Sequence, residues 1–468
     1  MTETLVYVDL PEGRTVHAGW IHYETNAGQY KPSINFEYAA TFLGDPDAYE
    51  LSPDLPLRSG FLAAPLSRDV FMAFADAQPD AWGRKLLQPE FRRRARTEGR
   101  QWTPPTEMDM LLQVPDRTRQ GALRFRSAAD GPFLGESSAT LPTLVDLDTL
   151  VAAAAGIENG TFDANDEGVR MLVQVGTTQG GARPKATVLD ERGRLAIAKL
   201  PHPDDRWDVQ GWEAVALELA GRSGIRVPHF TVHPLSEWRS VLVTERFDRD
   251  GDRRIGYLSA RSILLADPGA PVDYTSLAGH VGETSSRAAV DREELFRRVA
   301  LTLLINNVDD HMKNHGVIRE SSGWRLSPVF DLNPFPRRGQ VDSTPVTPED
   351  DPYDRDIRLL VASADQYRLT AGRAVEIIRE VAAETAKWPT IAGKYVGDKE
   401  SFDTFAEAFD GKNRMRAAEL TAAAPPLVID VADVADDDGH GAEISTGKFW
   451  VRAHIRNGRQ VEGYWRER

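Results

Sequence analysis

The sequence predicts an α+β protein of two lobes, with an N-terminal α/β subdomain and a mostly helical C-terminal lobe. Three observations carry this reading. Apolar and polar residues alternate in "LVYVDL", "VHAGWIHYE" and "SINFEYA", so the chain opens on short strands of a small sheet. A second strand-rich region runs through "VRMLVQVGTTQGGARPKATVLD", "GRLAIAKLP" and "SVLVTERFDRD". From about Glu293 to Leu420 helical periodicity takes over, most clearly in "RAVEIIREVAAETAKW". At 468 residues the chain exceeds one simple core, so two or three domains are expected.

The elements follow in order. After the first strands, "LSPDLPLRSG" is a proline-punctuated loop. "SRDVFMAFADAQPDAWGRKLLQPEFRRRA" reads as helix, broken around Gln78-Pro79. Residues 127–143 are small, polar and turn-rich, which marks a boundary, and a short helix follows at 145–156. "VRMLVQVGTTQGGARPKATVLD" then predicts strand, glycine turn, strand, and "GRLAIAKLP" a further strand. "WEAVALELAGRSG" predicts a helix that ends at glycine, before another strand in "SVLVTERFDRD". The tail joins an acidic, linker-like "VIDVADVADDDGHGAE" to "KFWVRAHIRNGRQVEGYWRER". There Asn457-Gly458 lies between alternating segments, the signal for a type I′ hairpin.

Composition narrows the function. A net charge of −15 argues against a chain whose main task is gripping nucleic acid. The one dense basic cluster, "FRRRARTEGR", fits a solvated helix face better than a DNA contact. No apolar run approaches the ~20 residues of a membrane span, and the N-terminus lacks a signal-peptide pattern. The absence of cysteine excludes disulfides and thiolate metal sites and suits a cytoplasmic setting without membrane partners.

The chemistry concentrates in "NNVDDHMKNHGVI", residues 306–318, between the apolar "LFRRVALTLLI" and "RLSPVFDLNPF". Asp309 and Asn314 stand five positions apart, and Asp331 follows 17 positions later. In protein kinases an aspartate and an asparagine at this spacing supply the catalytic base and a Mg²⁺ ligand, and a later aspartate on a following strand holds Mg²⁺ across the phosphates. Hard cations take such carboxylate and amide oxygens. Two other readings remain open on this stretch. His311 and His315, at i and i+4, could share a metal with Asp309 or Asp310 in a hydrolase, although the full H-E-x-x-H signature is absent. A solvated polar turn is the third.

Upstream residues favour the kinase order. "VQVGTTQGGARPK" carries Gly176, Gly180 and Gly181, whose amides could approach phosphate, and ends on Lys185. Lys199 is unusual in the apolar strand "LAIAKLP", though an edge-strand lysine reaching water would read alike. Glu213 in the next helix could pair with it or be an ordinary surface glutamate. Backbone groups near Glu245 and Phe247 in "VLVTERFDR" would supply a hinge for adenine. Glycine loop, lysine, glutamate, hinge, D-x4-N and final aspartate thus follow the kinase order in full.

Over roughly residues 5 to 420 the chain resembles the HipA-like serine/threonine kinases, toxins of HipBA-type toxin–antitoxin modules. The resemblance rests on "INFEYAATFL", "YELSPDLPLRSG", "FMAFADAQPDAWGRKLL", "TQGGARPKATV", "LAIAKLPHPDD", "WEAVALELAGRSGIRVP", "VLVTERFDRD", "NNVDDHMKNHGV" and "LSPVFDLNP". It implies a protein-kinase-like two-lobed fold: an N-terminal α/β subdomain over 1–140, a kinase-like domain over 141–425 with its ATP lobe reaching about 250, and a tail at 426–468 of no assigned role. It implies transfer of phosphate from ATP, with Mg²⁺ or alternatively Mn²⁺, to protein serine or threonine. Some members phosphorylate aminoacyl-tRNA synthetases, which arrests growth. By motif match Asp309 is the base, Asn314 and Asp331 the metal ligands, Lys199 the phosphate-binding lysine, and His311 the catalytic-loop histidine at the ATP site. The family's autophosphorylated loop serine corresponds to Thr178 here, with Thr177 beside it. A separate helix-turn-helix antitoxin is the expected partner, with DNA reached only through it. A kinase-like binding module within an antitoxin–DNA complex is the alternative reading.

Overall fold

The computed structural model describes residues 2–23, 34–135, 140–162, 166–176, 181–267, 269–336 and 343–421, together with the backbone of four short strands beyond 447. Among the described residues no helix is long and apolar enough to cross a membrane.

The N-terminal strands form an antiparallel sheet in the order Leu62–Ala63, Ile34–Tyr38, Thr15–Tyr23, Thr2–Asp9 and Leu123–Arg126. Period-two alternation decides which face is buried: Val6, Val8, Ile21, Phe36 and Phe125 all point into the core. In sequence between the strands Leu62–Ala63 and Leu123–Arg126 lie the helices Met72–Ala75 and Ala81–Thr97. The break between them falls at Gln78-Pro79, and Asp80 caps the second by accepting from the Gly83 amide. The basic cluster lies on that helix, with Arg92, Arg93, Arg94 and Arg96 exposed.

A second antiparallel sheet runs in the order Lys185–Leu189, Leu195–Lys199, Arg239–Glu245, Phe230–Ser236. Val188, Ala196, Ala198 and Val243 share a core with helices Leu147–Glu158 and Glu167–Val175. Trp82 and Leu86 of helix Ala81–Thr97 belong to this same core, so an element from the N-terminal 140 residues helps to build the second lobe.

One predicted strand is a helix. "VRMLVQV" lies within Glu167–Val175, and its apolar residues Val169, Leu172 and Val175 recur every third position on the buried face. Asp166 caps it by accepting from the Val169 amide. The apolar, valine-rich run suggested a strand, but the aspartate cap and helical spacing prevail. The glycine-rich segment therefore joins a helix to a strand instead of turning between two strands.

The helix Val209–Arg222 crosses behind this sheet, capped by Asp208. Trp212 stacks on Phe405 at 3.8 Å and lies near Trp388 and Phe409, which ties the helix to Trp388–Tyr395 and Ser401–Phe409. The helical lobe centres on Ala288–Leu304, whose Leu295, Phe296, Val299 and Leu303 are buried. A small sheet of Tyr257–Ser259, Gly316–Glu320 and Gly323–Leu326 follows. In the tail, Lys448–Val451 pairs with Tyr464–Glu467, and His454–Arg456 with Arg459–Val461. The intervening Asn457-Gly458 and the acidic linker lie outside the described residues.

Replacing Trp212 by alanine should open a cavity beneath the Glu213 helix and cost about 3–5 kcal/mol. Thermal melts should reveal an earlier first unfolding transition; an unchanged melting profile would contradict this packing role.

Candidate functional site

Lys199 ends its strand with its ammonium between two carboxylates: Nζ donates to Glu213 Oε1 at 2.6 Å and to Asp331 Oδ1 at 2.7 Å. Burial alone would lower the lysine's pKa, but the charges of Asp331 and Glu213 outweigh it and raise it, so the group stays cationic. Burial pushes Glu213 up despite Lys199. Asp331, also desolvated, is held well below the carboxylate range chiefly by Lys199, with help from Lys185 and His311. Glu213 is thus the buried partner of Lys199 and not a surface residue, and Lys199 does not reach away into water.

Asp331 lies beyond the strand Gly323–Leu326, in irregular backbone, whereas the kinase pattern puts its counterpart on a strand. Its φ of 59° is left-handed, costly for a non-glycine residue and typical of side chains held for function. Phe330, immediately before it, packs on Phe247 with ring centroids 5.5 Å apart, linking this turn to the end of strand Arg239–Glu245. At that end the Glu245 amide donates to the His229 carbonyl, and its carboxylate pairs with Arg194 at 2.5 Å. Any purine contact from Glu245 would therefore use its carbonyl.

The loop 306–315 starts where helix Ala288–Leu304 stops. Asn306 adopts a φ of 51°, and its Nδ2 donates to the Phe335 carbonyl at 2.7 Å, fastening the loop to the segment after Asp331. The two aspartates then diverge. Asp309 is exposed, and partial desolvation together with the charges of Asp331 and Asp310 raises its pKa against the pull of His311. Asp310 points inward: it accepts from the Tyr274 hydroxyl, from Thr302 Oγ1 at 3.1 Å, and faces His315 Nε2 at 3.0 Å. Burial pushes the Asp310 carboxyl up, but His315 and the Tyr274 hydroxyl bring it down to about 2. Its backbone carbonyl also accepts from the Thr344 amide.

Asn314 is buried, and its Nδ2 donates to the Asp309 carbonyl at 2.9 Å, while its backbone amide donates to the His311 carbonyl. That bond fixes the side-chain amide and turns its oxygen, the end able to bind a cation, away from Asp309. Carboxylate and amide oxygens from Asp331 and Asn314 form a hard donor pair suited to Mg²⁺ or Mn²⁺. The shared-metal reading of the histidines does not fit. The loop is not helical, so i,i+4 spacing does not align the rings: His311 is exposed, while His315 is buried against Asp310 and Tyr274.

Of the glycine-rich residues, Gly176 closes the helix Glu167–Val175 and Gly181 has a φ of 88°, available to glycine without strain. Thr177, Thr178 and Gly180 lie outside the described residues. Lys185 is buried, its Nζ 3.3 Å from Asp80 Oδ2. Sequence reasoning passed over Asn306, Tyr274 and Lys313, and weighed Asp310 only as a metal ligand. The exposed Lys313 has its pKa lowered by burial and by Arg261 and Arg84. The consecutive Asp309-Asp310 pair did hold a signal: neighbouring side chains in extended backbone point opposite ways, so one aspartate faces the cleft and the other the core.

Residues 177–388 match the family model described as a HipA-like C-terminal domain. That stretch of the chain is similar to the HipA-like family. The kinase candidate Y4mE of Sinorhizobium fredii is 26% identical over 329 residues, covering 64% of this chain and 71% of that protein. A chain of the Shewanella oneidensis MR-1 toxin–antitoxin complex of HipA, HipB and operator DNA superposes with a TM-score of 0.62 at 14% identity. The match covers 88% of this chain and 96% of that one, so the two share a fold.

Asp310→Asn should destabilise the loop by about 2 kcal/mol at neutral pH, the scale set by a carboxyl lowered to about 2 from its usual ~4. Because the folded-state pKa is depressed, the stabilisation is complete above pH ~4 and is lost as pH falls through about 2. Melting temperatures of wild type and variant should converge over that window; a constant gap across it would contradict the assignment.

Proposed function

We propose that the chain is an ATP-dependent serine/threonine protein kinase, the toxin of a type II toxin–antitoxin module. In this reading it arrests growth by phosphorylating a translation-related protein such as an aminoacyl-tRNA synthetase. The observation that carries the reading is the single ammonium of Lys199 bonded to both Glu213 and Asp331, beside a loop that presents Asp309 and Asn314. A binding scaffold has no need for a lysine, two carboxylates and a base arranged this way. The family match and the named kinase relative support the same reading. Since the fold neighbour comes from a complex with HipB and operator DNA, we further propose a separate helix-turn-helix antitoxin as partner, with DNA contacted through it.

In this mechanism Asp331 and Asn314 would hold Mg²⁺, which when bound would neutralise charge on the phosphates of ATP. Lys199, kept cationic and pointed by Glu213, stabilises phosphate oxygens. Backbone at the end of strand Arg239–Glu245, near Glu245 and Phe247, receives the adenine. Asp309 orients the substrate hydroxyl and accepts its proton as the oxygen attacks the γ-phosphorus and ADP leaves. Phosphorylation of Thr178 would place added negative charge beside the nucleotide and close the enzyme down.

Asp309→Asn should leave the fold intact and lower phosphoryl transfer about 10²- to 10⁴-fold. Asp331→Asn should chiefly weaken Mg²⁺-dependent ATP binding. The raised Asp309 pKa also sets a sign: the base is deprotonated above it, so kcat should fall with acidification at a pH higher than an ordinary aspartate would give. Radiolabel transfer to a serine- or threonine-containing protein, followed across pH, tests all three. Full activity in Asp309→Asn would overturn the catalytic assignment.

A further inference from the structure

The helix Ala81–Thr97 comes from the N-terminal part of the chain, yet its first turn lies against the residues that border the glycine-rich segment. The Asp80 carboxylate serves two elements at once. Oδ1 accepts from the Gly83 amide at 2.6 Å and caps the helix, while Oδ2 meets Lys185 Nζ at 3.3 Å. Both side chains of that ion pair are almost fully buried. Two residues on, the Trp82 indole donates to the Lys185 carbonyl at 2.9 Å, and the Trp82 amide approaches the Gly181 carbonyl at 3.4 Å. On the other side of the segment, a Cβ on Gly176 would come within 2.6 Å of Leu86. One helical face therefore touches Gly176, Gly181 and Lys185, both flanks of the segment that must cover a phosphate chain.

We propose that Asp80, assisted by Trp82, is a positioning residue for phosphoryl transfer that acts through Lys185. This rests on the kinase reading above. A lysine on a flexible four-carbon stem binds phosphate as a point charge, and its usefulness depends on where its ammonium is held. Asp80 fixes that ammonium from one side, and Trp82 fixes the backbone that carries it. The N-terminal region is thereby part of the catalytic apparatus and not an appended binding module.

A simple helix cap would give the same stability effects, so the test must separate capping from positioning. Asp80→Asn does this, because asparagine caps a helix about as well as aspartate but loses the charge facing Lys185. Removing a negative charge near the site can, by itself, only favour an anionic nucleotide. Lost positioning should instead lower kcat, on the scale of about ten- to a hundredfold seen when an outer residue that orients a ligand-binding group is removed. The measurement is kcat for phosphoryl transfer and Mg²⁺-ATP affinity by titration, on the full chain, for wild type, Asp80→Asn, Lys185→Met and the double variant.

The expected result is that Asp80→Asn loses turnover while binding Mg²⁺-ATP as tightly as wild type or tighter, and that it adds no further loss in the Lys185→Met background. Three results would overturn the proposal. Asp80→Asn could turn over within twofold of an active wild type. It could lower kcat by the same factor with and without Lys185, which would place its effect in the fold. Or the wild type could bind no Mg²⁺-ATP, in which case the kinase reading falls as well.

Discussion

The site depends on one buried ammonium shared by two carboxylates. Lys199, Glu213 and Asp331 come from a strand, a helix and a loop that are separate in sequence, and bonds of 2.6 and 2.7 Å require all three to dock together. Desolvating these charges is expensive, and removing one partner leaves another uncompensated, so the arrangement is a poor source of stability. The surrounding structure supplies what the charges do not. The Trp212–Phe405 stack holds the glutamate helix against the C-terminal helices, and Phe330 on Phe247 holds the turn that carries Asp331 in its left-handed conformation. Under the proposed kinase reading the glutamate helix is already seated, so control would act on the glycine-rich segment and on access to the site.

The loop 306–315 applies the same economy to a shorter stretch. Asp310 turns inward to Tyr274, Thr302 and His315, and this leaves Asp309 facing the cleft. Asn314 and Asn306 then lock the loop at both ends by bonds to backbone carbonyls. Because each polar group in the loop has a distinct direction, ten residues can present both the proposed base and the proposed cation ligand without strain in every one of them.

Much of this was legible in the sequence because it depends on local spacing. The five-residue interval from Asp309 to Asn314 is set by the shape of one rigid loop, and the order of Lys199, Glu213 and Asp331 follows the order of the elements that carry them. Other features were not. Valine-rich "VRMLVQV" resembles a strand in composition, and only the Asp166 cap and the three-residue spacing of Val169, Leu172 and Val175 mark it as helix. The kinase pattern puts its second aspartate on a strand, yet Asp331 stands in left-handed backbone, which is not written in residue type. The meeting of Asp80 with Lys185 spans 105 positions of sequence and is fixed by tertiary packing alone.

The central claim is that Lys199 couples the glutamate helix to a metal-binding aspartate for phosphoryl transfer from ATP. The most direct test is single-turnover transfer of labelled γ-phosphate, with parallel titration of Mg²⁺-ATP, for wild type and Lys199→Met. The account predicts that the wild type binds ATP only weakly without Mg²⁺ and transfers phosphate with it, whereas Lys199→Met keeps its fold and loses turnover. Wild-type-level transfer by Lys199→Met, or a wild type indifferent to Mg²⁺-ATP, would contradict it.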